Sequence, residues 1–588
     1  MRLRRHPLPL IAVVILAIAL REIPAWMNGA WGNDFGIYLG LTERMLETGE
    51  LFPAYDGWGT SYQFFPVFYL FSAAVHAVSG ADLVWLMPRL AGVLGGLTVL
   101  FLYGIGRDLS RSRRFALLAA LILAVDPIHI YQTSHPAPMT AGHLFLTASL
   151  YLFLRWRRGG SPWPLVACAG LLLLSHHLST YMFLLSVAGV AFGGRILGRS
   201  SDREFRRDLL FLGAVSSAAF AYWGLVATPV VDHVRFVSGL PFPVGVGLFL
   251  EALVCSAVLV PRVAARIRGI VHRVAAGRSP RSVFLLAFLL GYGFVAVNVF
   301  PRPFGNAFGL DANALLILLP PVLLLSFTAS GLVRTIGREP WAVPQGILLV
   351  FLASLVFGFV TQSAVIIPYR HLENLSIPVA LLAASALMGW SRPRIQVAAE
   401  RRPRPWRAAL PSRILAAAIP ILLVGNAATG FAAVNGQLGF DERIPDVSLE
   451  MVGWMSDHLE PSGTVAADHR ISQLLWARGF NVTSDGSQIV WTEESWRDIV
   501  PELCAFRPRV AYVFIDQIDV ESGIQSGTNA TPVRMTAAMY AKFHLRSGPF
   551  DLLHRVESPD LTRWAEVYRV DWGQIAQDKF LPWSHPSC

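Results

Sequence analysis

The sequence predicts a polytopic α-helical membrane protein of about 13 transmembrane helices with a C-terminal extracytoplasmic α/β domain, and three observations predict it. Of 588 residues, 54% are hydrophobic and 15% charged, whereas a soluble domain carries about 25% charged residues. Apolar runs of about 20 residues, the length of helix that crosses a ~30 Å hydrocarbon core, recur through most of the chain. The net charge of +10 conceals a split: residues 1–440 hold 36 Lys+Arg against 18 Asp+Glu, and residues 441–588 hold 13 against 21, so the parts carry +18 and −8. Hydropathy and charge together divide the chain into a multi-span membrane domain over 1–435 and a soluble domain over 436–588.

Arginine sets the threading, because cytoplasmic loops near span ends hold the excess positive charge. Clusters at 2–5, 107–114, 155–158, 195–207, 262–281, 334–338 and 392–413 are all read as cytoplasmic. The spans then fall at 8–26, 83–105, 115–131, 138–155, 162–178, 179–197, 208–230, 243–261, 282–300, 310–331, 343–364, 374–390 and 412–434. These crossings put the N-terminus in the cytoplasm and the C-terminal domain outside, in a multi-pass protein of the plasma membrane. Phe64 to Gly80 is a further apolar run that breaks this parity, and it reads as a juxtamembrane or partly inserted helix. Arg2, Arg4 and Arg5 ahead of Leu8–Leu20 have the look of a signal peptide, but no small-residue cleavage pattern follows, so an uncleaved first span is expected.

The sequence argues against several function classes. No GxxxxGK[ST] phosphate loop, no GxGxxG fingerprint and no metal-type Cys or His spacing is present, which argues against cytoplasmic nucleotide hydrolysis. Arginine follows the loops rather than a soluble face, so membrane orientation explains it and nucleic-acid binding does not. Cys168 and Cys255 fall inside spans, whereas Cys504 and Cys588 fall in the external segment, where an oxidising compartment allows them to pair.

The unusual polar residues gather on the outer side of this threading. The loop after the first span holds Asn33-Asp34, Glu43-Arg44, Asp56 and Tyr62-Gln63, and the second outer loop runs from Asp126-Pro127 through His129 and His135 to His143. His176-His177 ends one span, Asp232-His233 and Arg235 follow another, Arg302 and Asp311 another, and Tyr369-Arg370-His371 with Glu373 opens a further one. Charged and imidazole groups are costly near hydrocarbon, so such a gathering marks a site. Asp34, ahead of a helix-like stretch from Ile37 to Glu47, is placed to act as general base or metal ligand. Its structural alternative is a helix N-cap. Arg370 is placed for bidentate bonds to a phosphate, against the alternative of an anchor that snorkels to the headgroups. His371 and Glu373 read as solvated. His176 and His177 suit a metal or a proton relay, although adjacent helical residues point about 100° apart. Trp26, Trp31 and Trp58 read as an aromatic belt.

The order Gly32-Asn33-Asp34, Gly49-Glu50-Leu51, Tyr62-Gln63-Phe64-Phe65-Pro66 and Pro88-Arg89-Leu90 resembles the GT-C superfamily of membrane glycosyltransferases, in particular its protein mannosyltransferase, aminoarabinose transferase and oligosaccharyltransferase branches. The resemblance covers roughly residues 1–435 and implies a GT-C-like fold. It also implies transfer of a sugar from a polyprenyl-phosphate-linked donor to a glycan, lipid or protein acceptor, with membrane lipids as further partners. By that motif the catalytic or metal-binding role falls to Asp34, and the second-loop role to the segment holding His135 and His143. Substrate contacts fall to Tyr62, Gln63, Arg89 and His176, and the lipid-phosphate contact to Tyr369 and Arg370. Two departures matter. Many members carry an Asp-Glu pair where Asp34 is followed by Phe35, and many carry a second acidic residue where this chain has Met139 and Thr140. Either His135 or His143 takes the second role beside a divalent metal, Mg or Mn, at Asp34, or the enzyme works without metal, as inverting transfer can when a base deprotonates the acceptor.

From Phe440 the composition turns soluble. Pro445–Glu460 reads as an amphipathic helix, Thr464–Ala467 as a strand, Ser472–Arg478 as a helix, Val510–Ile515 as a buried strand, Pro532–Phe543 as a helix and Trp564–Val570 as a strand. The alternation predicts a small α/β domain with Asp468-His469-Arg470 and Asp516 at strand C-terminal ends, the edge where such sheets bind ligands. The alternative is that these are ordinary loop and cap residues. The rival function is a transporter or lipid flippase with an external binding domain. Transporters place ionisable residues near the midplane and show internal repeats; the sequence shows neither a clear repeat nor a span with a central carboxylate.

Overall fold

Helices dominate the described residues up to 429, as the apolar runs require. The structure is a computed structural model that describes residues 7–232, 241–275, 277–299, 313–361, 368–390, 419–429, 441–483, 486–525 and 532–578. Among the described residues, nine helices are long and apolar enough to cross a membrane: Leu8–Met27, Leu83–Ser110, His177–Ile196, Asp202–Leu225, Phe242–Ala275, Pro280–Val299, Ala314–Thr335, Glu339–Gly358 and Arg370–Trp390. The protein is a multi-span membrane protein with a C-terminal α/β region.

Each expected span contains a helix, but four of the thirteen fall short of the nine, for separate reasons. The run at 115–131 is two helices, Arg113–Ala124 and Pro127–Ser134, bent by 62°. Pro127 has no N–H for the helical ladder and its ring would strike the carbonyl four residues back, so Asp126 starts a new helix by accepting the His129 N–H at 2.9 Å. Pro138–Arg157 has the length but buries Thr140, His143, Thr147 and Ser149 among its apolar residues. Trp163–Leu173 has 11 residues, about 17 Å of helix against a ~30 Å hydrocarbon core. Of the run at 412–434, the described part is the short helix Ile419–Thr429. The Phe64–Gly80 run forms a helix over Val67–Ser79, 13 residues long, which is also too short to span. His233, Arg235, Arg302 and Asp311 lie outside the described residues.

The chain forms two compact units that do not follow sequence order: one comprises Met1–Arg21, Val93–Thr133 and Met139–Phe431, the other Glu22–Gly92, Ser134–Pro138 and Ala432–Cys588. In the first, small residues let helices meet at backbone distance. A Cβ on Gly346 would stand 2.0 Å from the Gly189 carbonyl oxygen, and one on Gly193 2.4 Å from that of Ala342.

In the second unit the first loop and the C-terminal domain pack as one body. Strand β1 (Ala30–Trp31) pairs antiparallel with β2 (Arg443–Ile444), and the Gly32 N–H extends the ribbon by donating to the Glu442 carbonyl at 3.0 Å. Helix Phe35–Thr48 lies against helix His469–Ala477 through Gly36 and Gly40, one turn apart. A Cβ at Gly36 would fall 2.2 Å from the Gln473 carbonyl carbon, and at Gly40 2.6 Å from the Trp476 ring. Beyond β2 come β3 (Thr464–Ala466), β4 (Asn481–Val482), β5 (Val510–Asp516), β6 (Ile524–Gln525), β7 (Pro532–Val533), β8 (Phe550–Glu557) and β9 (Trp564–Val570). The main sheet has order β4-β3-β5-β9-β8, with the first three strands parallel and the last two antiparallel; β6 and β7 form a separate ribbon. Trp491, Ile499, Leu503, Val510, Val513, Ile515 and Tyr568 fill its core. The expected helix at 532–543 is instead β7, a turn, and a helix begun at Ala537 by the Thr536 hydroxyl, which accepts the Met539 N–H. Cys504 is disulfide-bonded and Cys168 and Cys255 are free; Cys588 lies outside the described residues.

Candidate active site

Asp34 immediately precedes helix Phe35–Thr48, where a capping side chain would stand, yet its carboxylate makes no cap bond. It is held by side chains instead. Tyr62 and Tyr38 donate their hydroxyls to Oδ2 at 3.0 and 3.2 Å, and His469 Nε2 lies 2.9 Å from Oδ1. Tyr38 is buried, as is the His469 side chain, whereas the Asp34 side chain keeps 22% of its surface exposed. Trp58 stands edge-on to the His469 ring, centroids 4.9 Å apart. Burial first, then the neighbouring phenol of Tyr62 and the Asp34 carboxylate, push the Tyr38 hydroxyl well above its ordinary range. Burial and Asp34 do the same to Tyr55. Both phenols therefore remain protonated, Tyr38 donating to the carboxylate and Tyr55 to the Trp58 carbonyl.

The other expected residues of this unit are engaged differently. His135 Nε2 lies 2.9 Å from Glu442 Oε2, and its ring packs beside Trp31. Trp31 is thus a buried residue of β1 rather than part of an aromatic belt. Gly32, at φ 104°, lets the chain turn under His135, since a Cβ there would meet the ring at 3.2 Å. Arg89 donates to the Trp85 and Ala25 carbonyls at 2.7 and 3.0 Å and lies over the rings of Trp26 and Trp85, each 4.4 Å away. Those contacts make it an anchor at a helix end. Gln63 is half-buried in the 3-10 turn Tyr62–Phe64.

Asp468, Asp516 and Asp519 bring three carboxylates within 4.8 Å of one another, and they are the group of that kind among the described residues. Arg470 already fills their midst. It bonds Asp468 through Nε and an Nη at 3.2 and 2.6 Å and reaches Asp516 at 3.1 Å, with all of these side chains buried. Asp468 also caps helix His469–Ala477, and Asp516 caps Gln517–Glu521. Both lie at the ends of β3 and β5, as expected, but they serve as caps and as partners for Arg470.

In the membrane unit, His143 sits within helix Pro138–Arg157 rather than in a loop. Its Nε2 lies 3.1 Å from Glu373 Oε2, and both side chains are buried. Glu373 also pairs with Arg370 at 3.3 Å, and Arg370 donates to Gln132 Oε1 at 3.1 Å while keeping part of its surface exposed. His371 is buried against the Ser354 hydroxyl at 2.8 Å. The expectation that His371 and Glu373 are solvated is overturned, because other helices supply their partners. His176 caps helix His177–Ile196, its Nδ1 accepting the Ser179 N–H at 3.3 Å. With His176 in extended backbone at φ −167°, its ring comes 4.9 Å from that of His177 despite the adjacency. Arg21 is fully buried, with an Nη 2.6 Å from His129 Nδ1. The Tyr369 side chain lies outside the described residues.

No protein-family model and no curated protein matches the sequence. Solved structures do. The cryo-EM structure of the arabinofuranosyltransferase AftD from Mycobacteria is similar over 96% of this chain and 40% of its own length, at 12% identity and a TM-score of 0.40; this chain thus spans well under half of that enzyme. The crystal structure of ArnT from Cupriavidus metallidurans bound to undecaprenyl phosphate is similar over 95% of this chain and 97% of its own, at 12% identity and a TM-score of 0.41. Its apo form covers the same shares, at 12% identity and a TM-score of 0.32.

The sequence singles out Asp34, Tyr62 and His469 in three separate roles, and does not single out Tyr38. Tyr38 carries a usable signal: it stands four residues after Asp34, one turn away. His469 stands out only as part of the expected ligand edge of the C-terminal sheet; nothing local ties it to Asp34, 435 residues away.

Proposed function

We propose that this chain is a membrane glycosyltransferase that moves a sugar from a polyprenyl-phosphate-linked donor to an extracytoplasmic glycoprotein or glycolipid, with Asp34 as general base. One observation carries the reading: Asp34 stands at a helix start without capping it, partly exposed, its carboxylate held by two phenols and an imidazole. A carboxylate offers about four acceptor sites, so one remains for an acceptor hydroxyl.

In the inverting reaction the acceptor O–H breaks and its proton passes to Asp34. The acceptor oxygen bonds the anomeric carbon as the carbon–oxygen bond to phosphate breaks, and the electron pair leaves with the polyprenyl phosphate. Asp34, a short loop beyond the first apolar helix Leu8–Met27, meets a lipid-held donor confined to a plane, which lowers the entropic cost of orientation. In the membrane unit, Arg370 is the proposed contact for a phosphate anion, held by Glu373 and Gln132. The donor set at Asp34 does not fit a resident Mg or Mn ion. Mg demands near-octahedral oxygen ligation, whereas the groups on Asp34 are two protonated phenols and an imidazole. The reading therefore needs no metal step.

The test is mass spectrometry of lipid-linked sugars and surface glycans in host cells lacking the gene. Deletion is expected to accumulate the lipid-linked sugar and truncate a glycan; wild type restores both, and Asp34→Asn, present in the membrane at equal level, restores neither. Equal rescue by the two versions refutes the mechanism.

A further inference from the structure

The group that orients Asp34 comes from the C-terminal domain, and that domain fixes it with care. Parallel strands β3 and β5 are neighbours. Just past β3, Asp468 accepts the N–H groups of Arg470 and Ile471 at 2.7 and 3.4 Å, starting helix His469–Ala477. At the end of β5, Asp516 receives the Arg470 guanidinium at 3.1 Å and the Ser448 hydroxyl at 2.8 Å. Arg470 also bonds the Arg443 carbonyl in β2, the strand paired with β1 just ahead of Asp34. The first turn of this helix is therefore braced on three sides by buried ionic and backbone contacts. His469 is its first residue. Its ring is packed edge-on by Trp58, and its Nε2 meets Asp34 Oδ1 at 2.9 Å.

We infer that His469 is a positioning residue of the transferase: its Nε2–H donates to Asp34 Oδ1 and fixes the carboxylate plane so that the open site faces the acceptor hydroxyl. This rests on the reading of Asp34 as base. The imidazole itself neither takes the acceptor proton nor touches the sugar; it fixes Oδ1 of a carboxylate that the two phenols hold through Oδ2 alone. The C-terminal domain is then part of the catalytic apparatus. Gly36 and Gly40 belong to the same device, because the close contact of the two helices brings Nε2 within bonding distance.

The test uses the full-length protein in the deletion host and reads the initial rate of glycan recovery after induction, with membrane abundance and the apparent melting temperature in detergent measured for each variant. His469→Ala is expected to slow recovery by about 100-fold, the order of loss for a reacting group displaced by ~1 Å. His469→Gln places an amide N–H near the former Nε2 and is expected to restore most of the rate. His469→Asn places it near Nδ1 and is expected to resemble alanine. A structural role would make Gln and Asn alike, so equal rates for these two overturn the inference, as does a wild-type rate for His469→Ala. If Asp34→Asn also recovers normally, the proposed function fails; if Asp34→Asn is dead while His469→Ala is fully active, the inference alone fails.

Discussion

Replacing Gly36 with alanine tests the helix contact on which the candidate site depends. The added methyl would sit 2.2 Å from the Gln473 carbonyl carbon, 2.3 Å from the Leu474 nitrogen and 2.5 Å from the Gln473 oxygen. All three are backbone atoms that no rotamer change can move. Carbon contacts relax at about 3.5–4.0 Å, so the helices must part by roughly 1–1.5 Å. Asp34 lies two residues before Gly36, and that shift carries its 2.9 Å bond to His469 past about 3.5 Å, where it ceases to be a hydrogen bond. Overpacking costs about 1–3 kcal/mol, offset by about 0.5–1 kcal/mol from replacing a helical glycine. The net loss, up to about 2.5 kcal/mol, corresponds to an apparent melting temperature lower by up to about 10 °C for a unit of this size. Gly453, in helix Asp446–His458, is the control, because a Cβ there meets nothing within 4 Å; Gly453→Ala should stabilise by about 0.5–1 kcal/mol. Differential scanning fluorimetry of the full chain in detergent, with glycan recovery in cells, measures both. A Gly36→Ala protein that melts with or above wild type and restores glycan at the normal rate refutes the close-contact reasoning.

Burial, then the negative charges of Asp468 and Asp516, push the Asp519 carboxyl well above its usual range. The folded state thus holds that proton more tightly than the unfolded one, and the stability this contributes is present below the ordinary carboxylate pKa of about 3.9 and is lost as pH rises through the raised value. Wild type should lose more melting temperature than Asp519→Asn as pH rises above about 3.9; parallel curves contradict this. Arg470→Met leaves two buried carboxylates without their cation, a loss of about 3–5 kcal/mol, and should expose the C-terminal domain to limited proteolysis; wild-type resistance counts against the brace. Arg370→Ala should slow glycan recovery by about 100-fold if Arg370 binds the lipid phosphate of the donor, with lipid-linked sugar accumulating in the same cells. An unchanged rate removes Arg370 from the reaction.

How much of this was legible follows from what each signal measures. Apolar run length finds helices, and it found one in every expected span. It does not register the missing N–H of Pro127, so a bent pair read as one crossing. Nor does it register hydroxyls such as Thr147, which is buried because it donates back to the His143 carbonyl of its own helix. Asp34 was legible from its place after the first apolar helix, and the cap alternative had to be settled by geometry. Glu373 read as solvated because its partner His143 lies 230 positions earlier, and nothing local announces it. Arg89 read as a substrate contact, and nothing in the sequence announces that its guanidinium packs over Trp26 and Trp85 and bonds the Ala25 carbonyl.

The C-terminal sheet carries the most instructive difference between expectation and structure. The carboxyl edge of parallel strands is where α/β domains bind ligands, and Asp468 and Asp516 do stand there, at the ends of β3 and β5. A divalent cation among Asp468, Asp516 and Asp519 would have to displace Arg470, whose guanidinium is bonded to two of the three. The edge is therefore filled by a side chain of the fold itself. A buried ion pair contributes little net stability against a well-packed apolar replacement, so its value here lies in placement. It fixes the first turn of helix His469–Ala477, and the residue at that turn reaches Asp34 at 2.9 Å. On this argument the two features that sequence reasoning treated separately, a first-loop carboxylate and an acidic edge in the tail, belong to one chain of contacts within one compact unit.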